Sequence, residues 1–151
     1  MLFWGMKDKV VLITGASSGI GRAVAIRFAR AGSRLVLAAR REAELQQLAA
    51  ELKAEYKVDT LVVPCDVTQA QDCAQLLEAT LRQFQCLDVL INNAGITMKA
   101  TVADVELEVL QKVMAVNFWG TVYCTKYALP ALQANKGVIV GVSSIAGFRG
   151  L

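Results

Sequence analysis

The sequence predicts an α/β fold built on a parallel, doubly wound sheet. Three observations carry that expectation. Short apolar runs alternate with longer stretches of helical period. The runs are continuous rather than alternating, which is how strands buried on both faces read. A polar or glycine-rich cluster follows each run. Five such alternations fit within 151 residues, one domain's worth of chain and enough to bury a real core.

In chain order the runs are Val10–Ile13, Leu35–Ala39, Leu61–Val63, Leu87–Ile91 and Val138–Val142. The first helix follows at once on a glycine-rich turn. Its Arg22, Arg27 and Arg30 share one arc opposite Val24 and Phe28, which reads as a solvated face. Between the third and fourth runs, Ala70, Cys73, Ala74, Leu77, Leu81 and Phe84 keep a helical period. Thr68 and Gln71 have the spacing of a capping box at that helix's start. Asn135-Lys136-Gly137 reads as a helix stop before the fifth run. Pro64 closes the third run and suits an edge strand, where a missing N–H costs little. The Rossmann strand order 3-2-1-4-5 puts strand three at that edge. No linker or internal repeat divides the chain, so residues 1–151 read as one domain.

Composition narrows the function. A hydrophobic content of 55% and a mean hydropathy of +0.43 exclude a disordered chain. No apolar run approaches the ~18 residues of a transmembrane helix. Met1–Trp4 is too short for a signal-peptide core and reads as a leader before the first strand rather than a membrane contact. The net charge of +3 makes no case for nucleic acid, although six arginines fall between Arg22 and Arg41. Without histidine there is no His-dependent triad, and a zinc site is not expected. Cys65, Cys73, Cys86 and Cys124 lack C-x-x-C spacing and read as reduced, mostly buried thiols of a cytoplasmic-type protein.

The clusters after the five runs are "TGASSGIG", Arg40-Arg41, Asp66-Val67, "NNAG" (Asn92 to Gly95) and "SSIAG" (Ser143 to Gly147). In an open parallel sheet these strand ends form one rim, where ligands bind at the reversal of strand order. In the first cluster Gly15 allows a tight turn, Gly19 lets a pyrophosphate approach the backbone, and Gly21 lets the helix pack close to the sheet. The helix N-terminus adds free N–H donors and a positive dipole end. The spacing is G-x-x-x-G-x-G rather than G-x-G-x-x-G, and Arg22 after the last glycine excludes a Walker loop. The alternative is a glycine-rich turn that binds nothing.

Together, "TGASSGIG", "NNAG", "VNFWG" and "SSIAG" resemble the short-chain dehydrogenase/reductase family, from about Lys9 to the last residue. The resemblance implies a Rossmann domain that transfers hydride between a nicotinamide and a carbonyl or alcohol carbon. It further implies that Gly15, Ser17, Ser18, Gly19, Ile20 and Gly21 hold the diphosphate and adjoining ribose, with Thr14 bracing the turn. Asp66 and Val67 would flank the adenine, and Asn93, Ala94 and Gly95 the nicotinamide ribose. Asn117 matches the asparagine that holds a water in a proton relay, and Ser144 the serine that hydrogen-bonds the substrate oxygen. Their bland alternatives are a polar residue kinking a long helix and a hydroxyl turn after a strand.

The second run ends Ala38-Ala39-Arg40-Arg41, with no carboxylate until Glu42. Rossmann folds that bind NAD usually place an Asp or Glu near this point for the ribose 2′-hydroxyl. A guanidinium suits a 2′-phosphate instead, so NADP(H) is expected over NAD. The alternative is a pair of solvated arginines opening the next helix.

The resemblance also implies a catalytic Y-x-x-x-K about a dozen residues beyond the serine, and these 151 residues end seven past Ser144. Tyr123 and Lys126 are three apart and precede the serine, and Tyr127 has Ala131 where a lysine would stand, so packing roles are expected. The expectation is therefore an NADP-dependent oxidoreductase cut before its acid, homo-oligomeric in full-length form and unable to transfer hydride as this stretch alone. The alternatives are a non-catalytic nucleotide-binding or interaction module of the same fold and, on the arginine cluster alone, a nucleic-acid-binding surface.

Overall fold

The computed structural model describes residues 5–101 and 103–145. Met1–Trp4 and the Ala146-Gly147 half of the last motif lie outside them. The elements alternate as β1 (Val10–Thr14), α1 (Gly19–Arg30), β2 (Arg34–Ala39), α2 (Glu42–Tyr56), β3 (Thr60–Pro64), α3 (Ala70–Phe84) and β4 (Val89–Asn92). Then come α4 (Leu107–Met114), α5 (Gly120–Ala134) and β5 (Val138–Gly141), with a π-helical stretch, Ala115–Trp119, joining the two helices. All strand pairs are parallel, and the order is β3-β2-β1-β4-β5, the expected Rossmann arrangement.

Alternate residues of the central strands build two cores. Val10, Leu12, Val36, Ala38 and Leu90 face α3 and α5, where they meet Leu76, Leu77, Ala128 and Leu132. Val11, Ile13, Leu35, Leu37 and Ile91 face α1 and α2, where they meet Ala25, Ala29, Leu45, Leu48 and Leu52. Continuous apolar runs are thus explained for β1, β2 and β4, which are buried on both faces. The reading fails at the edges. β3 is only half-buried, and Val138, Ile139 and Val140 of β5 are 56%, 41% and 40% exposed, an apolar strand left uncovered among the described residues.

Local details refine four expectations. The buried stripe of α1 is Gly21, Ala25 and Ala29, with Val24 and Phe28 only partly covered, because small residues let the helix lie close to the sheet. On its outer side Arg22 pairs with Glu51 of α2. The Thr68–Gln71 capping box does not form. The Thr68 hydroxyl instead donates to Asp66 Oδ1 at 2.8 Å, Gln69 becomes the N-cap, and no side chain caps the helix. The inward face of α3 includes Leu76 and Thr80, whose hydroxyl donates to the Leu76 carbonyl, while Leu81 is exposed. At the end of α5 the stop is where expected, but Lys136 takes the left-handed conformation. Gly137 serves close approach: a Cβ there would lie 2.6 Å from the Asp88 carbonyl oxygen.

Asp88 ties the strands together at the end of the sheet opposite the glycine turn. Its carboxylate accepts from the buried Val10 N–H at 2.8 Å and from Lys9 Nζ at 2.9 Å. That hydrogen bond and the carboxylate's charge hold the Lys9 amine above its ordinary range. Asp88→Ala leaves the Val10 N–H unpaired in the core and should lower unfolding free energy by about 1–3 kcal/mol in a urea titration, with Asp88→Asn losing less.

Candidate functional site

At the carboxyl rim of the sheet, the turn from β1 to α1 and the segment after β4 are locked together. The buried Thr14 hydroxyl accepts from the Asn93 and Ala94 N–H groups, both at 3.0 Å, and donates to the Ile91 carbonyl at 3.3 Å. One donor and two acceptor positions exhaust a hydroxyl's capacity. Asn93 Nδ2 donates back to the Thr14 and Gly15 carbonyls. Thr14 braces this turn, as the resemblance implies.

The three glycines have different reasons to be glycine. Gly15 has φ +67°, and a Cβ on it would lie 2.9 Å from Ala94 Cα. Gly21 has an ordinary backbone, but a Cβ would meet the Gly15 carbonyl oxygen at 2.3 Å and Asn93 Nδ2 at 2.5 Å. Gly19 has φ +54° with open space above it. So Gly15 and Gly21 are required by packing, and Gly19 keeps a surface clear.

That surface is a helix N-terminus without internal satisfaction. Ser18 is the N-cap of α1 in extended conformation and makes no side-chain cap bond, and no acidic residue stands in the first turn. The first-turn amides therefore face the cleft with the helix dipole behind them. α2 differs, with Glu42 and Glu44 in its own first turn. An anionic diphosphate fits the α1 cradle, whose donors and open floor match its charge and bulk.

The cleft has a volume of about 480 Å³. Of the sequence-predicted cofactor residues, Gly15, Ser17, Ser18, Gly19, Ile20, Arg40, Arg41, Asp66, Val67, Asn93, Ala94 and Gly95 border it. Gly21 does not; it is buried beneath the turn it permits. Arg41 reaches across the loop and donates to Ser17 Oγ at 3.0 Å and Ser18 Oγ at 2.8 Å, with Glu44 at 3.4 Å on its other side. Arg40, on the same rim, makes no hydrogen bond or ion pair among the described residues. Asp66 Oδ1 accepts from the Thr68 N–H and hydroxyl, and the Asp66 N–H donates to Asp72 Oδ2, so the loop after β3 is rigid.

Asn117 lies within the π-helical stretch, where the widened turn re-aims a side chain. Its Oδ1 accepts from the Ile96 N–H and its Nδ2 donates to the Ile96 carbonyl, both at 2.9 Å, which clamps the segment after Gly95. Ser144 is exposed just past β5 and does not border the cleft. It shares the rim nonetheless, since the Val142 N–H donates to the Asn92 carbonyl at 2.9 Å. Asn92 itself is structural, buried with its amide on Thr125 Oγ1. Tyr123 packs on Trp119, with ring centroids 5.8 Å apart.

Sequence reasoning missed Ala39, Cys65, Ile96 and Val116 on the cleft wall. Ala39, Cys65 and Ile96 each adjoin a residue that was singled out, and the signal was that adjacency. Val116 needed the π-helical geometry. Among the described residues no cluster could hold a metal ion, and no helix is long and apolar enough to cross a membrane.

The sequence profile of the short chain dehydrogenase family matches residues 9–151. The chain belongs to that family. It is 45% identical over 137 residues to the 11-beta-hydroxysteroid dehydrogenase A of Sesamum indicum, covering 90% of this chain and 39% of that protein. The fold superposes with a TM-score of 0.95 and 32% identity on the L-sorbose reductase of Gluconobacter frateurii complexed with NADPH and L-sorbose, covering 100% of this chain and 57% of that one. An NAD+-bound xylitol dehydrogenase matches with a TM-score of 0.93 at 30% identity, covering 97% and 57%. The chain thus spans half or less of the length of the curated relatives it matches.

The division of labour among the glycines is testable by mutation. Gly21→Ala should destabilise the fold by about 1–3 kcal/mol, because backbone must move to admit the methyl group. Gly19→Ala should cost no more than the ~1–2 kcal/mol of a left-handed alanine, with no steric addition. Urea unfolding of each variant reads these losses, and a Gly21→Ala loss below about 1 kcal/mol would contradict the packing role of Gly21.

Proposed function

We propose that the protein is an NADP(H)-dependent oxidoreductase acting on a small carbonyl or alcohol substrate, with these residues forming its dinucleotide-binding part. The observation that carries the cofactor preference is the end of β2, where Arg40 and Arg41 border the cleft beside the glycine turn. Close homologues of the fold with NADPH and with NAD+ both exist, so the backbone alone does not discriminate. Charge at this rim does. A 2′-phosphate would meet two guanidiniums here, and Arg40 has no competing partner among the described residues. Arg41 is already anchored over the loop by Ser17 and Ser18, so less of its freedom remains to be lost on binding.

The bound nicotinamide supplies or accepts the hydride. The chain's own part is to fix its surroundings. Ser17 to Gly21 take the diphosphate and adjoining ribose, and Asp66 and Val67 flank the adenine. Asn93, Ala94 and Gly95 line the nicotinamide ribose, held in place by Thr14. Asn117 clamps Ile96 at the far end of that segment, and its position on the π-helical stretch suits the water-holding role that the resemblance implies. Ser144 donates to the substrate oxygen, whose developing charge needs a hydrogen bond. The full-length protein works as a homo-oligomer in this reading.

One charged hydrogen bond to the 2′-phosphate, at about 1.5–3 kcal/mol, sets a preference of roughly ten- to over a hundredfold for NADPH over NADH. Calorimetric titration of the two cofactors should show that gap, and Arg40→Asp should close or reverse it. Equal affinities in the unmodified chain would contradict the reading. In an active full-length form, Ser144→Ala should lower carbonyl turnover by orders of magnitude with NADPH affinity nearly unchanged. Unchanged turnover would remove Ser144 from the mechanism.

A further inference from the structure

Three cysteines meet beneath the adenine side of the cleft, and nothing in the proposed chemistry uses them. Cys65, directly after β3, borders the cleft and is 3% exposed. Cys73 on α3 and Cys124 on α5 are both fully buried behind it. The Cys124 thiol contacts Cys73 Sγ at 3.5 Å, and the Cys73 thiol donates to the Val67 carbonyl at 3.6 Å. All four cysteines of the chain are free thiols. Hydrogen bonds from Cys124 and Cys65 hold the Cys73 thiol below its ordinary range, while the same bonds and burial hold the Cys65 and Cys124 thiols above theirs.

Val67 connects this group to the cleft. It borders the cleft on one side and receives the Cys73 thiol on the other. α5 presses on it as well, since a Cβ on Gly120 would lie 2.7 Å from Val67 Cγ2. The two helices that carry the sulfurs therefore both bear on one cleft residue.

We propose that Cys73 and Cys124 are a peroxide-sensitive dithiol whose closure to a disulfide weakens the adenine side of the cleft. Hydrogen peroxide oxidises one thiol to a sulfenic acid and leaves as water. The second sulfur then displaces the hydroxyl as a second water and forms the S–S bond. Two electrons pass to the peroxide, and both thiol protons leave in the waters. A disulfide of ~2.05 Å draws the two sulfurs about 1.5 Å closer than they stand now. Closure also removes the hydrogen on the Cys73 sulfur, so the Val67 carbonyl loses that contact as α3 and α5 are pulled inward.

Trypsin separates the sulfurs usefully. Cys65 and Cys73 share the peptide 58–82, Cys86 lies in 83–99, and Cys124 lies in 113–126. Peroxide treatment, alkylation of remaining thiols and digestion without reductant should join 58–82 to 113–126, with fragmentation placing the link at Cys73. Cys65→Ser should keep the link and Cys124→Ser should lose it. A link through Cys65, a Cys65–Cys73 bridge, or full alkylation of Cys73 and Cys124 under conditions that oxidise Cys86 would overturn the proposal. The effect on the cleft rests on the dinucleotide reading, and oxidation should weaken NADPH binding severalfold through the shift of Val67 that closure imposes. Failure of the reduced chain to bind any dinucleotide would count against that reading, while the peptide link would still decide the dithiol. Equal NADPH affinity in reduced and linked protein would overturn the coupling.

Discussion

The side chain of Asn93 enters the turn between β1 and α1 and donates to the carbonyls of Thr14 and Gly15, while the Thr14 hydroxyl answers with bonds to the loop after β4. Two segments nearly eighty residues apart thus share one set of half-buried polar partners. The arrangement closes only because Gly21 offers no Cβ to the Gly15 carbonyl. Leaving the buried Thr14 hydroxyl unpaired would cost about 1–3 kcal/mol, a large fraction of a domain's net stability. This seam fixes where α1 begins, and with it the direction in which its first-turn amides point.

The rest of the rim follows from that placement. Once α1 starts against the sheet, its N-terminus borders the cleft between the β2 and β4 ends, and the loop after β3 forms another wall of it. Arg41 then falls within reach of Ser17 and Ser18. The contrast with α2 is instructive, since Glu42 and Glu44 sit where an incoming anion would be repelled. Neither helix has a side-chain cap, but α2 carries negative charge in its first turn and α1 carries none.

Much of this is legible in the residues because the signals are local. A parallel sheet needs uninterrupted apolar strands, and β1, β2 and β4 are apolar for that reason. Gly15, Gly19 and Gly21 are separately interpretable because each answers a different steric question. What stayed hidden depends on tertiary neighbours. Thr68 bonds to Asp66 rather than capping α3, a choice between two nearby acceptors that spacing cannot decide. The π-helical widening around Asn117 leaves no periodic trace, so the side chain's grip on Ile96 could not be read from "VNFWG". The exposure of β5 depends on what lies beside it, and a run of valines and isoleucine reads the same whether covered or bare.

The central claim is that the three segments after β1, β2 and β3 form one receptor for a 2′-phosphorylated adenine nucleotide. Titrating the isotope-labelled chain with adenosine 2′,5′-bisphosphate and following backbone amide resonances tests it most directly. The account predicts that the amides of Ser17 to Gly21, Arg40 and Arg41, and Asp66 and Val67 shift along one saturation curve, while those of β5 and the outer faces of α3 and α5 stay still. Shifts confined to the arginines would indicate only nonspecific charge pairing, and an unperturbed Gly19–Gly21 segment would contradict the account.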